Sequence, residues 1–134
     1  MKKLILGAMM VMSAATANAA DIKLNTPETS GGMPLMEAIK VRRSGRMFDT
    51  KMLSDQHLSN LLWTTWGISS EDGKRVVPTA RNLQDMELYV LLPTGVYVYD
   101  AKNNVLTQQS DKDLREVVGK EQKFALEAPV HLLF

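Results

Sequence analysis

Cysteine is absent from all 134 residues, which removes disulfides, thiol nucleophiles and Cys-ligated zinc from consideration. The two histidines, His57 and His131, stand far apart and lack metal-ligand spacing, so they read as a surface and a strand residue. There is no internal repeat and no low-complexity tract. Beyond the first residues no run approaches the roughly 20 apolar positions that a membrane span requires. Nor does charge of one sign dominate. Sixteen basic and 15 acidic side chains leave a formal charge of +1, which gives no electrostatic footprint for non-specific nucleic-acid binding. Stability therefore has to come from packing, from partners or from a bound cofactor.

What is present begins with a leader. Lys2 and Lys3, the apolar run 4–12 and Ala17-Asn18-Ala19 match the charged, apolar and small-residue parts of a secretory signal peptide. Residues 1–19 are expected to be removed. With no twin-arginine pair and no cysteine for a lipid anchor, the implied route is general secretion into a periplasm, with no membrane contact after cleavage. Cleavage leaves 115 of the 134 residues, and losing Lys2 and Lys3 takes the 16 basic groups to 14 against 15 acidic ones, a formal charge of −1. A chain of that length makes one small domain.

Residues 20–33 mix Asp, Asn, Thr, Pro and Ser with the Gly31-Gly32 pair and read as an extended lead-in rather than core. Pro34 opens a helix expected over 34–44, with Leu35, Ala38 and Ile39 at helical spacing. Ser54 is placed to cap a second helix over 55–66, in which Leu58, Leu61, Leu62, Thr65 and Trp66 share a face and Gly67 marks the stop. Residues 69–84 are polar and show neither period, so they form a long loop of the kind that is usually functional. Strands are expected over 86–92, 96–100 and 105–108, joined by Pro93-Thr94-Gly95 and Lys102-Asn103-Asn104 into a meander in which Tyr97 and Tyr99 alternate as strand residues do. Ser110 is expected to cap a third helix over 111–121, with Asp111 and Asp113 in its first turn. After Ala128-Pro129, residues 130–134 read as a buried strand on which the sequence stops, so the domain over 34–134 is expected to be incomplete. The fold class is α+β, with an antiparallel or mixed sheet packed against helices.

Two polar segments carry the chemistry. Arg42-Arg43-Ser44-Gly45-Arg46 sets three guanidinium groups around a hydroxyl at a helix end, which suits an anionic phosphate. Pro78-Thr79-Ala80-Arg81-Asn82-Leu83-Gln84 is a Pro-led loop carrying amides, which suits the edge of a planar heterocycle. Together they suggest a phosphorylated cofactor such as flavin mononucleotide (FMN). Each segment also has a plainer reading: with Lys40, the arginines make a solvated basic helix end, favourable against the helix dipole without any ligand. Asn82 would then be a turn residue, and Trp63 and Trp66 core or interface.

The order and spacing of these features resemble the nitroreductase-like family of flavin oxidoreductases. The resemblance runs from about Met36 to Phe134, roughly the N-terminal half of a family domain. It rests on Arg42-Arg43-Ser44-Gly45-Arg46-Met47-Phe48, on Leu58-Ser59-Asn60-Leu61-Leu62-Trp63-Thr64-Thr65-Trp66-Gly67, on the 78–84 loop and on Gly95-Val96-Tyr97-Val98-Tyr99-Asp100. The last resembles a subgroup that includes dehydrogenases of azoline-forming peptide biosynthesis. The resemblance implies that Arg42 and Ser44 hold an FMN phosphate, with Arg43 acting there or through its backbone. It implies that Arg46 lies near the pyrimidine end and that Asn82 bonds the pyrimidine edge. Thr79 and Ala80 would pass close to the ring, and Gln84 would support the loop. It further implies a homodimer, a reduced nicotinamide or other small-molecule donor, and an electron-poor acceptor such as a nitro compound or quinone. An azoline-type dehydrogenase and a non-catalytic flavin- or ligand-binding module are the alternatives. The family's C-terminal features, a Gln-Asn helix, a Gly-rich segment and a terminal basic residue, have no counterpart here, and Asp85 stands where many members have Pro.

Overall fold

The computed structural model describes residues 20–134; the leader expected at residues 1–19 lies outside them. Period-2 alternation is clearest in β3 (Gly95–Asp100), where Gly95, Tyr97 and Tyr99 are buried and the residues between them are half-buried. It pairs antiparallel with β2 (Tyr89–Leu92) on one side and β4 (Val105–Ser110) on the other. β4 takes on β1 (Ile22–Lys23), and β2 takes on β5 (His131–Leu133), giving an antiparallel sheet in the order β1-β4-β3-β2-β5. The pairing Val90↔Tyr97 and Tyr99↔Leu106 carries one layer of apolar side chains across three strands.

One helix covers that layer. In α2 (Asp55–Trp66), Leu58, Leu62 and Trp66 recur every four residues on one stripe and are buried against Leu88, Val90, Leu92, Tyr97, Tyr99 and Leu106. Ser54 begins the helix as its composition predicts, accepting from the His57 amide at 3.2 Å. The stripe is narrower than the sequence suggests, because Leu61 is exposed and Thr65 half-buried, leaving Leu58, Leu62 and Trp66 as its buried apolar residues. Ser59 is also buried, and its hydroxyl donates to the Asn25 carbonyl.

That contact helps explain why the lead-in is not merely extended. Residues Ile22–Lys23 pair with β4 and Leu24 enters the core, a long-range contact that composition does not reveal. The first helix, α1 (Leu35–Val41), is three residues shorter than expected at its C-terminus and has no buried residue. Arg42, Arg43 and Ser44 consequently lie on non-helical chain. The third, α3 (Arg115–Gly119), starts later than expected because Ser110 is held in the ladder opposite Val96. Asp113, not Ser110, serves the helix start, bonding the Arg115 amide at 3.1 Å and its guanidinium at 2.9 and 2.7 Å. At the β2–β3 turn Gly95 has φ 143°, and a Cβ there would strike the Ser110 carbonyl.

Leu62 is 0% exposed and Val117, in α3, is 69% exposed, so Leu62→Ala should destabilise the fold by about 2–5 kcal/mol and Val117→Ala by no more than about 0.5 kcal/mol in urea unfolding. Comparable losses would mean that α3 is packed in solution.

Acid should weaken the β3–β4 turn. Asp100 accepts from the Asn103 side chain at 2.6 Å and from the Lys102 and Asn103 amides at 2.9 and 3.0 Å, and these bonds, the Asn103 side chain first, hold its carboxyl below the usual range. A carboxyl with a lower pKa folded than unfolded contributes stability above its unfolded pKa and loses it as pH falls through the folded value. Stability should therefore decline below about pH 4, and Asp100→Asn should flatten that decline. An unchanged pH profile in the variant would assign the acid sensitivity elsewhere.

Candidate functional site

The site is built on the C-terminal end of α2. Gly67 ends that helix with its amide bonded to the Trp63 carbonyl at 2.7 Å, and a Cβ at Gly67 would run into Trp63 itself. The Gly67 backbone is extended, φ −66° and ψ 167°, not the left-handed stop that its position suggested. Ile68 then bridges Arg75 across a tight turn, with the Val76 amide returning to the Gly67 carbonyl at 3.0 Å. Lys74 and Asp72 form an exposed ion pair at 2.7 Å across the turn, and the Lys74 hydrogen bond lowers the Asp72 carboxyl pKa.

Beyond this ribbon the chain enters the 78–84 loop. Arg81, Asn82 and Gln84 have φ of 53°, 54° and 50°, a left-handed conformation that non-glycine residues adopt only where surrounding bonds enforce it. Those bonds are present. The Asn82 amide donates to the Thr79 carbonyl at 3.0 Å, and the Gln84 amide donates to Thr79 Oγ1 at 3.1 Å. Gln84 Nε2 donates to the Gly73 carbonyl at 3.0 Å and to Asn82 Oδ1 at 3.1 Å. Arg75 reaches in from the ribbon, its Nε donating to Gln84 Oε1 at 3.0 Å and its Nη1 to the Trp66 carbonyl at 2.9 Å. Its guanidinium also lies 4.7 Å from the Trp66 ring centroid. An open groove of about 390 Å³ runs alongside, lined by residues 74–79 and Asn82.

The basic segment is organised differently. Arg43 donates to the Lys40 and Arg42 carbonyls at 3.0 and 2.8 Å, so its guanidinium caps α1 and the plainer reading holds for that residue. Arg42 and Ser44 are exposed and make no side-chain hydrogen bond among the described residues. Arg46 sits 5.8 Å from the Phe124 ring centroid, and Phe124 stacks on Phe48 with centroids 6.4 Å apart. The structure thus brings Thr79, Asn82 and Gln84 together, places Ala80 in the same loop, and turns Arg46 toward Phe124. Among the described residues no hydrogen bond or ion pair joins the two segments. Neither Arg75 nor Phe124 stands out in the sequence as a site residue. The signal for Arg75 was an arginine three residues before the loop proline; for Phe124 there was none.

Comparison with known proteins decides the family. The model of the nitroreductase family matches residues 39–134. This chain belongs to the nitroreductase family. A protein of Methanocaldococcus jannaschii described as a putative nitroreductase is 27% identical over 116 residues, covering 75% of this chain and 59% of that protein. A crystal structure of a putative nitroreductase from Ralstonia eutropha superposes with a TM-score of 0.77 and 35% identity, covering 87% of this chain and 55% of that one. The chain therefore spans just over half the length of these nitroreductase relatives, with the same α+β fold.

Gln84 is the brace of the nitroreductase loop, so Gln84→Ala should cost about 1–3 kcal/mol of stability and open residues 78–84 to limited proteolysis. Wild-type resistance to cleavage in that variant would show that the loop holds its shape without Gln84.

Proposed function

We propose that the protein is an exported, FMN-dependent oxidoreductase that passes a hydride from a reduced small-molecule donor to an electron-poor acceptor such as a nitro compound or quinone. The observation that carries this reading is the braced 78–84 loop, where Asn82 Oδ1 is occupied by Gln84 and the Asn82 Nδ2 is left without a partner among the described residues, beside an open groove. Backbone outliers held by surrounding bonds cluster where ligands bind, and a fixed amide donor suits the polar edge of a planar heterocycle.

The residues present fit a phosphorylated flavin by their chemistry. Arg42 and Ser44 offer a guanidinium and a hydroxyl that are not engaged elsewhere among the described residues and would hold the phosphate. Arg46 would offset negative charge at the pyrimidine end, while Asn82 would donate to that ring, with Thr79 and Ala80 alongside. Arg43 would contribute through its backbone, its guanidinium being taken by α1. When bound, FMN supplies the two-electron chemistry, and the protein orients it and sets its potential. The exposed apolar residues of α1, Leu35, Met36, Ile39 and Val41, support a homodimer, and the leader at residues 1–19 supports a periplasmic location. Tyr97 and Tyr99 of the strand motif that resembles the azoline dehydrogenases are core residues, so that motif favours no particular acceptor.

Full-length protein should carry flavin absorbance or take up added FMN, and should sediment as a dimer. Arg42→Ala and Arg46→Ala should each weaken FMN binding by about 1.5–3 kcal/mol, with Lys40→Ala nearly silent. A colourless protein that takes up no FMN would reject the flavin reading, and equal losses from all three substitutions would replace the site by a diffuse basic patch.

A further inference from the structure

Arg75 has only donors, and that fact fixes the direction of every hydrogen bond leading away from it. Its Nε lies 3.0 Å from Gln84, so the Gln84 atom facing it must be the acceptor, Oε1. The Gln84 amide nitrogen is then turned the other way, toward the Gly73 carbonyl at 3.0 Å and toward Asn82 at 3.1 Å. A carbonyl can only accept, so Gly73 imposes the same orientation from the opposite side. The Asn82 atom that meets Gln84 must therefore be its acceptor, Oδ1, and what Asn82 presents outward is its donor, Nδ2. Arg75 itself is anchored outside the loop, by its bond to the Trp66 carbonyl at 2.9 Å and its stacking on the Trp66 ring. Trp66 is buried in the core.

We propose that Arg75 is a positioning residue that, through Gln84, sets the Asn82 side chain as a hydrogen-bond donor toward the ligand. The inference rests on the flavin reading for the identity of that ligand, but the relay is a property of the protein alone. It makes the site selective for a ring edge that offers an acceptor, a carbonyl oxygen or imine nitrogen, opposite Asn82. An edge offering only N–H there would face a donor with a donor.

Titration of FMN into full-length variants tests it. Asn82→Ala and Asn82→Asp should both weaken binding by about tenfold or more, because neither side chain can donate. Binding retained by Asn82→Asp would overturn the donor assignment. Arg75→Met should weaken binding about three- to tenfold and should add nothing in an Asn82→Ala background, since it acts through that residue. Additive losses would overturn the relay. Gln84→Glu keeps an acceptor for Arg75 but removes the donor to Asn82; it should give the same loss and the same non-additivity, and it decides the matter if Arg75→Met does not fold. Without FMN, either Arg75→Met or Gln84→Glu should raise amide exchange at Asn82 and Gln84 at least about tenfold more than at Leu62 in α2. Unchanged loop exchange would overturn the relay, whereas a wild-type protein that takes up no FMN would overturn the flavin reading and leave the exchange result to judge the relay.

Discussion

The burial of Trp66 is the constraint on which the rest of the structure depends. Its indole closes the apolar stripe of α2 against the sheet, and Phe134 meets it edge-on with centroids 6.1 Å apart. Its carbonyl and the face of its ring hold Arg75. One residue thus connects packing energy to a polar network. Large aromatic burial is worth several kcal/mol, whereas each hydrogen bond of the loop adds only about 1 kcal/mol net. The loop can keep three non-glycine residues at positive φ because it hangs from the stronger element.

That hierarchy explains which features were legible in the sequence. α2 was read with its observed limits, since its cap at Ser54, its four-residue apolar period and the stop at Gly67 are all local signals. The β2–β3–β4 meander was read for the same reason, with its turns in place and strand ends shifted by a few residues. What escaped was set by distant contacts. Ile22 and Lys23 join the sheet only because β4 lies beside them, and Ser110 is drawn into the ladder by Val96 instead of capping a helix. Local preference is a weak prior where a long-range ladder competes with it.

The candidate site divides along the same line. Gln84 could be marked as a loop brace from its place in the 78–84 motif, but its partners could not, because Arg75 reaches it from across a turn. For the basic segment, three arginines in five residues look equivalent in the sequence, and the structure separates them. Arg43 is taken by the carbonyls at the end of α1, Arg46 lies over Phe124, and Arg42 is left exposed. Which arginine is available to a ligand depends on where α1 ends, and its end at Val41 is not encoded by a single stop residue.

The two halves of the site are consequently held to very different degrees. The 78–84 loop is braced from three directions, so a ligand meeting Asn82 pays little ordering entropy there. Among the described residues nothing restrains Arg42 or Ser44 comparably, and fixing a long arginine side chain costs on the order of 1–2 kcal/mol. A charge-assisted bond to a phosphate is strong enough to offset that cost, while a neutral bond to a ring edge would not be. In the proposed site the rigid part is therefore the one whose contact would be weak and directional, and the unrestrained part the one whose contact would be strong and ionic. Recognition by such a site would be selective for the planar group and permissive toward the position of the anion.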